Sequence, residues 1–527
     1  MIGKTVFILT VLLLVGLPAR ALVETLPLNV IPQPAKVVIQ EESSFTLAPG
    51  LTVGVTAHTK DIGQYLAGLL APPTGLEIKV KAATEVAKEA PHIVLRTDEK
   101  RTDLGPEGYE LAVDKHGVTI VGGSPAGAFY GVQTLRQLLP PEIESGKRVD
   151  NMAWTLPFVR IQDQPRFGWR GALLDSGRHF LDKAFIKRFI DLLAMYKINR
   201  FHWHLTDDQG WRVEIRKYPK LTEVGAWRKT EDGGKYGGFY TQQDLREIVV
   251  YAEARQIVIV PEIEMPGHSM AALASYPQYS CTGGPFEVAN TWGIKKDVYC
   301  PGNDDTFKFI EGMLSEVMDI FPSPWLHIGG DEVPKDRWKA CPRCQNRIKA
   351  EKLKDEAELQ SWFVKRIEKI LNSRDRRLVG WDEILEGGLA PNAIVQSWRG
   401  IQGGIAAAKA GHDVVMSPTS HCYLDYPNEK ISVEKAYSYE PVPDDLPADK
   451  VKHILGLEGN MWGEVMPTPQ SVEHYAFPRL IALAEVGWSP RPARNWPGFY
   501  RRLKAELIRL DKLGVHYSPL TESQPSP

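Results

Sequence analysis

The chain has 527 residues, 43% of them hydrophobic and 24% charged, with a formal net charge of −2. That length supports two or more domains with substantial cores, and the composition is that of a globular protein. A nearly neutral charge argues against a polyanion partner such as nucleic acid.

The N-terminus reads as a secretory signal over residues 1–21. Lys4 supplies the positive charge, residues 5–17 (TVFILTVLLLVGL) form a short apolar run, and Ala19-Arg20-Ala21 fits a small-x-small cleavage site. The run is short for a membrane span. The expectation is therefore an exported protein, periplasmic or secreted, with no stable membrane insertion once the signal is removed. No cysteine follows the run, which argues against a lipoprotein.

Residues 22–157 read as a smaller α+β domain. VVIQ, LTVGV, HIVLR, YELAV and GVTIVGG have strand texture, and residues 124–139 read as an amphipathic helix opened by Ser124-Pro125. A proline-rich stretch at 155–165 marks the expected boundary, with the second domain over 158–520.

The second domain alternates strands and helices. Eight strand-like runs fall at 171–175, 198–205, 257–263, 325–330, 377–381, 393–398, 413–417 and 454–462. Helical patterns include 182–196, 241–255, 304–320, 355–373 and 474–486. The alternation predicts a parallel sheet, and eight units predict an α/β fold of the (β/α)8 TIM-barrel type. A doubly wound open sheet is the competing fold, but no GxGxxG or P-loop opens the first unit.

Functional groups of such a barrel sit at the carboxyl ends of its strands. Here the eight strands end, in order, in Asp175 with Arg178 and His179; His202, His204, Asp207 and Asp208; Glu262, Glu264 and His268; Asp331 and Glu332; Trp381, Asp382 and Glu383; Trp398 and Arg399; Tyr423 and Asp425; and Trp462 and Glu464. The most informative stretch is WLHIGGDEV at 325–333. Gly329-Gly330 permit a sharp turn and close approach of a ligand. Adjacent Asp331 and Glu332 cannot both ionise cheaply where water is partly excluded. Such a pair holds one acid and one anion at the same pH, as acid/base chemistry on a sugar or ester requires. Fourteen tryptophans add apolar faces suited to sugar rings, with Trp169, Trp203 and Trp227 read as core.

In an exported chain, Cys281 and Cys300 read as a disulfide across a loop. Cys341-Pro-Arg-Cys344 reads as a second disulfide or as half of a metal knuckle. The sequence shows no second CxxC or CxxH to complete such a knuckle, which disfavours zinc.

Six motifs taken together resemble glycoside hydrolase family 20, the exo-acting β-N-acetylhexosaminidases: D-x-x-R-H at 175–179, HWHLTDDQGWR at 202–212, PEIEMPGH at 261–268, HIGGDE at 327–332, GWDE at 380–383 and MWGE at 461–464. The resemblance spans about 26–500 and includes the α+β domain that precedes the barrel in that family. It implies removal of terminal β-linked N-acetylhexosamine from glycans, with no cofactor and no metal. It also implies retention without an enzyme nucleophile, the substrate's 2-acetamido oxygen attacking to form an oxazolinium.

The resemblance assigns roles by motif. Glu332 would be the general acid and then the base. Asp331 would orient the acetamido N–H, and Tyr423 would donate to the acetamido oxygen. Trp381, Trp398 and Trp462 would cage the N-acetyl methyl and the sugar face. Arg178 would grip O3 and O4, with Asp425 and Glu464 on O4 and O6. Asp207 and His268 would tune Glu332 from behind. Residue by residue, His202 reads as packing or orienting a loop ahead of reacting, Glu262 and Glu264 as loop braces as readily as sugar contacts, and Asp382 and Glu383 as groups behind the site or, in preference, a helix N-cap. Three other readings compete: a metalloenzyme using His202, His204 and Asp207 with a third histidine; a sugar-binding protein without catalysis; and a relative that releases a disaccharide.

Overall fold

The computed structural model describes residues 28–87, 90–230 and 232–520, so the expected signal at 1–21 lies outside the described residues. Among them no helix is long and apolar enough to cross a membrane.

The first domain is a seven-stranded mixed sheet: β1 (Lys36–Thr46), β2 (Thr52–Val55), β3 (Lys79–Ala82), β4 (His92–Thr97), β5 (Tyr109–Asp114), β6 (Gly117–Gly122) and β7 (Thr155–Asp163), in spatial order β1-β7-β5-β6-β4-β2-β3. Helices α1 (Lys60–Thr74) and α2 (Pro125–Leu138) pack on it. Ser124 caps α2, its hydroxyl accepting from Ala126 N–H at 3.1 Å, with Pro125 at the first helical position. Along β5, Tyr109, Leu111 and Val113 are buried while Glu110, Ala112 and Asp114 are not, the period-two pattern of a sheet with one covered face.

Most of the proline-rich stretch that marks the expected boundary is strand. Residues 155–163 form β7, inside the sheet between β1 and β5, so a break at 157/158 cuts through a strand. Pro157 is tolerated because it pairs with Ser44 beside an irregularity in β1, and β5 pairs only with Val159–Asp163. Asp163 then joins the domains: it accepts from Tyr109 OH (2.8 Å) and Trp488 Nε1 (3.0 Å) and faces the buried Lys197 ammonium at 3.3 Å.

The second domain is a closed barrel of eight parallel strands: Trp169–Asp175, Arg200–His204, Val258–Glu262, Trp325–His327, Arg377–Trp381, Ile394–Ser397, Val414–Met416 and Ile454–Met461. Each falls on a run expected from sequence. Helices Lys183–Met195, Gln242–Glu253, Asp304–Ile320 and Glu356–Asn372 also match. The helix expected at 474–486 is instead two helices, Pro469–Ala476 and Arg479–Trp488, because Pro478 lacks the N–H that would continue the first.

Trp169, Val260, Val379, Ile394 and Val415 plug the lower barrel. A layer of hydrogen-bonded polar groups lies above the plug. Glu458 accepts from Gln396 Nε2 (2.8 Å) and Trp169 Nε1 (3.2 Å) and pairs with His202 Nδ1 (2.7 Å). This layer is the floor on which the carboxyl-end groups stand.

None of the five cysteines is joined in a disulfide, so the expected Cys281–Cys300 bridge is not formed, and of the two readings of Cys341 and Cys344 the disulfide is not formed either. The barrel loops instead bring Cys281, Cys300, Cys341 and Cys344 to one point.

Candidate active site

The fourth strand ends at His327, and the chain then turns through Gly329 (φ 69°), Gly330 (φ 92°) and Glu332 (φ 47°). A left-handed conformation costs a non-glycine residue about 1–2 kcal/mol, and such strain gathers where side chains must be aimed. Trp381 N–H holds Gly329 O at 2.9 Å, and Gln360 Nε2 holds Gly330 O at 2.7 Å. A Cβ on Gly329 would lie 1.7 Å from Glu264 Oε2, whereas one on Gly411, also at positive φ (91°), would meet nothing within 4 Å. Gly329→Ala is therefore expected to cost at least about 2 kcal/mol of stability, overpacking adding to backbone strain, and Gly411→Ala only about 1 kcal/mol. Urea denaturation of the two variants checks this, and equal losses would remove the Glu264 clash from the account.

Asp331 is mostly covered (side chain 13% exposed), and Glu332 is more open (36%). His268 stands behind both, its Nε2 3.6 Å from Asp331 Oδ2 and 3.5 Å from Glu332 Oε2. Its Nδ1 faces Asp207 Oδ1 at 3.4 Å and Asp208 Oδ2 at 3.3 Å. Burial disfavours charge on His268, but these carboxylates hold its pKa well above the usual range, so it is an imidazolium. Burial alone would raise Asp207, but Arg178 and His268 keep it well below the usual carboxylate range. Glu332 is lowered, chiefly by its hydrogen bond to His268. Asp331 is pushed up to about 6, mainly by burial. The ligand-free pair thus holds its proton on Asp331.

Arg178 is buried among three carboxylates. Nη1 lies 2.9 Å from Asp175 Oδ2, Nη2 3.1 Å from Asp207 Oδ2 and Nε 3.3 Å from Glu464 Oε1, while Arg178 N–H donates to Asp175 Oδ1 at 2.9 Å. The guanidinium lies 5.0 Å from the Trp462 ring centroid. Burial raises the carboxyls of Asp425, to about 7, and of Glu464.

The expected aromatics converge. Trp398 stacks on Tyr423 (centroids 6.0 Å, 23°), Tyr423 faces Trp462 at 6.4 Å, and Trp462 faces Trp381 at 5.6 Å. Trp381 has no exposed surface; its Nε1 donates to Glu262 Oε1 at 2.9 Å, so it backs the pocket from beneath Trp462 rather than walling it. Of the tryptophans read as core, Trp169 and Trp203 are buried, and Trp227 is half-buried under Lys235.

Several bracing residues are now placed. Glu262 is a floor brace, pairing with His204 Nδ1 (2.5 Å), His202 Nε2 (3.1 Å) and His327 Nδ1 (2.7 Å). Glu264 is raised well above the carboxylate range by burial and by Asp331, and neither of its oxygens has a hydrogen-bond partner in the structure. Asp382 and Glu383 are not side-chain helix caps. Asp382 accepts from Arg399 Nε (2.6 Å) and Trp398 N–H (3.2 Å), and Glu383 accepts from Trp398 Nε1 (2.9 Å), so both hold the loop after the sixth strand.

The metal reading of His202 and His204 fares poorly on donor chemistry. His202 faces Glu458 and Glu262 through its two nitrogens, and His204 faces Glu262 and Asp207. Burial opposes charge on both, yet these carboxylates lift His202 to about 9 and His204 to about 10. Both nitrogens of each ring thus face carboxylates, and neither ring is turned toward an open position at the strand ends.

The pattern of the glycosyl hydrolase family 20 catalytic domain matches residues 167–491, and that of the family's domain 2 matches 27–164. The chain belongs to glycosyl hydrolase family 20. That is a family of glycosidases. A β-hexosaminidase of Porphyromonas gingivalis is 48% identical over 509 residues, a match covering 94% of this chain and 65% of that protein. The structure of the family 20 β-N-acetylhexosaminidase from Streptomyces coelicolor A3(2) superposes with a TM-score of 0.83 at 32% identity, covering 94% of this chain and 99% of that one. The exo-β-N-acetylglucosaminidase of Vibrio harveyi, solved in complex with N-acetylglucosamine, gives a TM-score of 0.83 at 33% identity over 94% of this chain and 79% of its own.

Within this family 20 barrel, sequence reasoning named Asp208 and His179 at strand ends without giving them a role, and overlooked Glu458 and Gln396 in the floor. Glu458, Gln396 and His327 carry the floor, and Asp208 steadies His268 while accepting from Met270 N–H at 3.0 Å. His179 Nδ1 lies 2.6 Å from Gly463 O, and its ring meets Trp292 at 5.3 Å on the pocket's rim. The available signal was weak: a charged or amide residue inside an otherwise apolar strand, as at Gln396 in IVQS and Glu458 in ILGLEGNM.

Proposed function

We propose that the chain is an exo-acting, retaining hydrolase that removes terminal non-reducing β-linked N-acetylhexosamine by substrate-assisted catalysis. The observation that carries this reading is the placement of Asp331 and Glu332 on one strained turn, both within 3.6 Å of the same His268 nitrogen. Two sequence neighbours fixed to one imidazolium serve one side of a sugar. They cannot flank the anomeric carbon as acid and nucleophile, so the nucleophile comes from the substrate.

Glu332, the more open carboxyl, protonates the leaving oxygen and then activates water. Asp331 takes the acetamido N–H and balances the positive charge as the oxazolinium closes. Tyr423 donates to the acetamido oxygen, and Trp398 and Trp462, with Trp381 behind, enclose the methyl. Arg178, Asp425 and Glu464 take the sugar's far hydroxyls. The protonation pattern must invert on binding. An aglycone covering Glu332 removes water and raises its pKa, while the acetamido N–H and the growing cationic charge lower that of Asp331. The proton then rests on Glu332, where the leaving group needs it. The solved V. harveyi relative with N-acetylglucosamine supports a pocket of this class. Export is part of the reading and rests on the apolar run at 5–17.

Initial rates on the 4-nitrophenyl β-glycosides of N-acetylglucosamine, N-acetylgalactosamine and glucose test it. Cleavage confined to the acetamido sugars is expected. Comparable cleavage of the glucoside would refute the mechanism, because glucose has no internal nucleophile; cleavage of none would leave the binding-protein or disaccharide-releasing alternative.

A further inference from the structure

Four sulfurs meet beside the pocket. Cys344 Sγ lies 3.6 Å from Cys281 Sγ and 3.5 Å from Cys300 Sγ, and Cys300 Sγ lies 3.9 Å from Cys341 Sγ. One ligand atom from each of the four falls within 4.8 Å of every other. A zinc ion bound to four thiolates has Zn–S distances of about 2.3 Å, so the edges of its sulfur tetrahedron are about 3.8 Å. The three short separations bracket that edge. Cys281–Cys344 and Cys300–Cys341 would make one complete pairing, but the shortest contact, Cys300–Cys344 at 3.5 Å, crosses it, as the edges of a single tetrahedron do, and none of the three approaches the about 2.05 Å of a disulfide.

The surroundings are those of a closed structural centre. Cys300, Cys341 and Cys344 are buried and Cys281 is half-buried, packed with Val298, Trp338, Ile348 and Leu359. The two legs of the upstream loop are fixed at their base by a Ser280–Tyr299 bridge and by Cys300 N–H donating to Tyr279 O at 2.9 Å. Cys341 and Cys344 open the helix Pro342–Ala350, where the first-turn N–H groups favour thiolate. The two halves interlock. Arg343 Nη2 donates to Ser280 O at 2.9 Å, Trp338 Nε1 donates to Tyr299 O at 3.0 Å, and a Cβ on Gly302 would lie 2.3 Å from the Arg343 carbonyl carbon.

We propose that Cys281, Cys300, Cys341 and Cys344 form a structural tetrathiolate zinc site that pins the loop after the third barrel strand to the segment after the fourth. The thiols lose their protons to solvent as the metal binds. Four protein ligands leave no open position, so the ion does not take part in sugar chemistry. Its effect is on the rim. The pinned loop carries Ala289, whose N–H donates to Asp208 O at 3.0 Å, Thr291, whose carbonyl accepts from Gln209 at 3.0 Å, and Trp292 beside His179. The pinned segment follows directly on Asp331 and Glu332.

The test is metal and thiol analysis of the full-length chain, expressed with zinc and purified without chelator or reductant. Expected are about one zinc per chain, an X-ray absorption spectrum with four sulfurs at about 2.3 Å, an intact mass unchanged by reduction, and five reactive thiols after unfolding in chelator. Cys281→Ser, at the most exposed ligand, is expected to surrender zinc to a chelator at least about tenfold faster than the parent chain. Metal-free protein overturns the proposal, whether its thiols are all free or its mass rises on reduction to reveal disulfides. These measurements on the unaltered chain decide the matter even if the variant fails to fold.

Discussion

Glu332→Gln is expected to lower kcat on an N-acetylglucosaminide with a plain alcohol leaving group by about 10²–10⁴-fold, with KM nearly unchanged, because a positioned acid/base group contributes about that much. The change keeps the side chain's size and an oxygen that can face His268. Glu332 is partly exposed (36%), and the change also removes its charge-assisted contact with His268, so only a small loss of thermal stability is expected. The loss should be smaller on the 4-nitrophenyl glycoside, whose leaving group departs as a stable anion and needs little protonation. Steady-state kinetics on the two substrates separate these effects. Turnover near that of the parent on the plain glycoside would show that Glu332 is not the acid, and equal losses on both would mean that the variant has failed for another reason.

Why Glu332 could be singled out from sequence, and its supporting groups could not, has a physical cause. The barrel strands are apolar runs closed abruptly by charged or aromatic residues, and function gathers at those ends, so both fold and site announce themselves locally. The WLHIGGDEV turn carries its own glycines and carboxylates. Elements that failed did so where local pattern and tertiary role part company. β3 (KVKA) is a short, exposed edge strand with no apolar alternation to read. α1 hides behind Pro72 and Pro73 in its last turn. The boundary expected at 157/158 falls inside β7, because Pro157 sits where a partner strand has already ended and gives no sign of the strand that continues past it. The need for glycine at 329 comes from Glu264, 65 positions earlier, and the four-sulfur cluster joins Cys281 and Cys300 to a CxxC some 40–60 residues downstream. A spacing rule that looks for a second adjacent pair misses a partner pair supplied by loop closure.

The pH dependence of kcat/KM follows from where the proton sits before substrate arrives. The competent site needs one proton on the Asp331–Glu332 pair: a carboxylate for the acetamido group and an acid for the leaving oxygen. In the free enzyme that proton is on Asp331, with a pKa of about 6 set mainly by burial, and Glu332 is lowered by His268. Because the groups interact, the pair titrates as a unit, and kcat/KM reports its two macroscopic steps. Loss of the shared proton makes the rate fall about tenfold per pH unit above about 6, and uptake of a second proton makes it fall below the ordinary glutamate range. His268 stays protonated across this span and contributes neither limb. Asp331→Asn tests the assignment twice. Removing the carboxylate that balances the oxazolinium should cost about 10²–10³-fold in kcat, the scale of one preorganised electrostatic contact. It also leaves Glu332 as the proton's sole home in the pair. Since His268 holds that carboxyl low, the falling limb at higher pH should move to lower pH in the variant. A limb that stays near 6 would place the titrating group elsewhere, with the buried Glu383 carboxyl, raised to about 8 mainly by burial, and Asp425, at about 7, the next to be replaced.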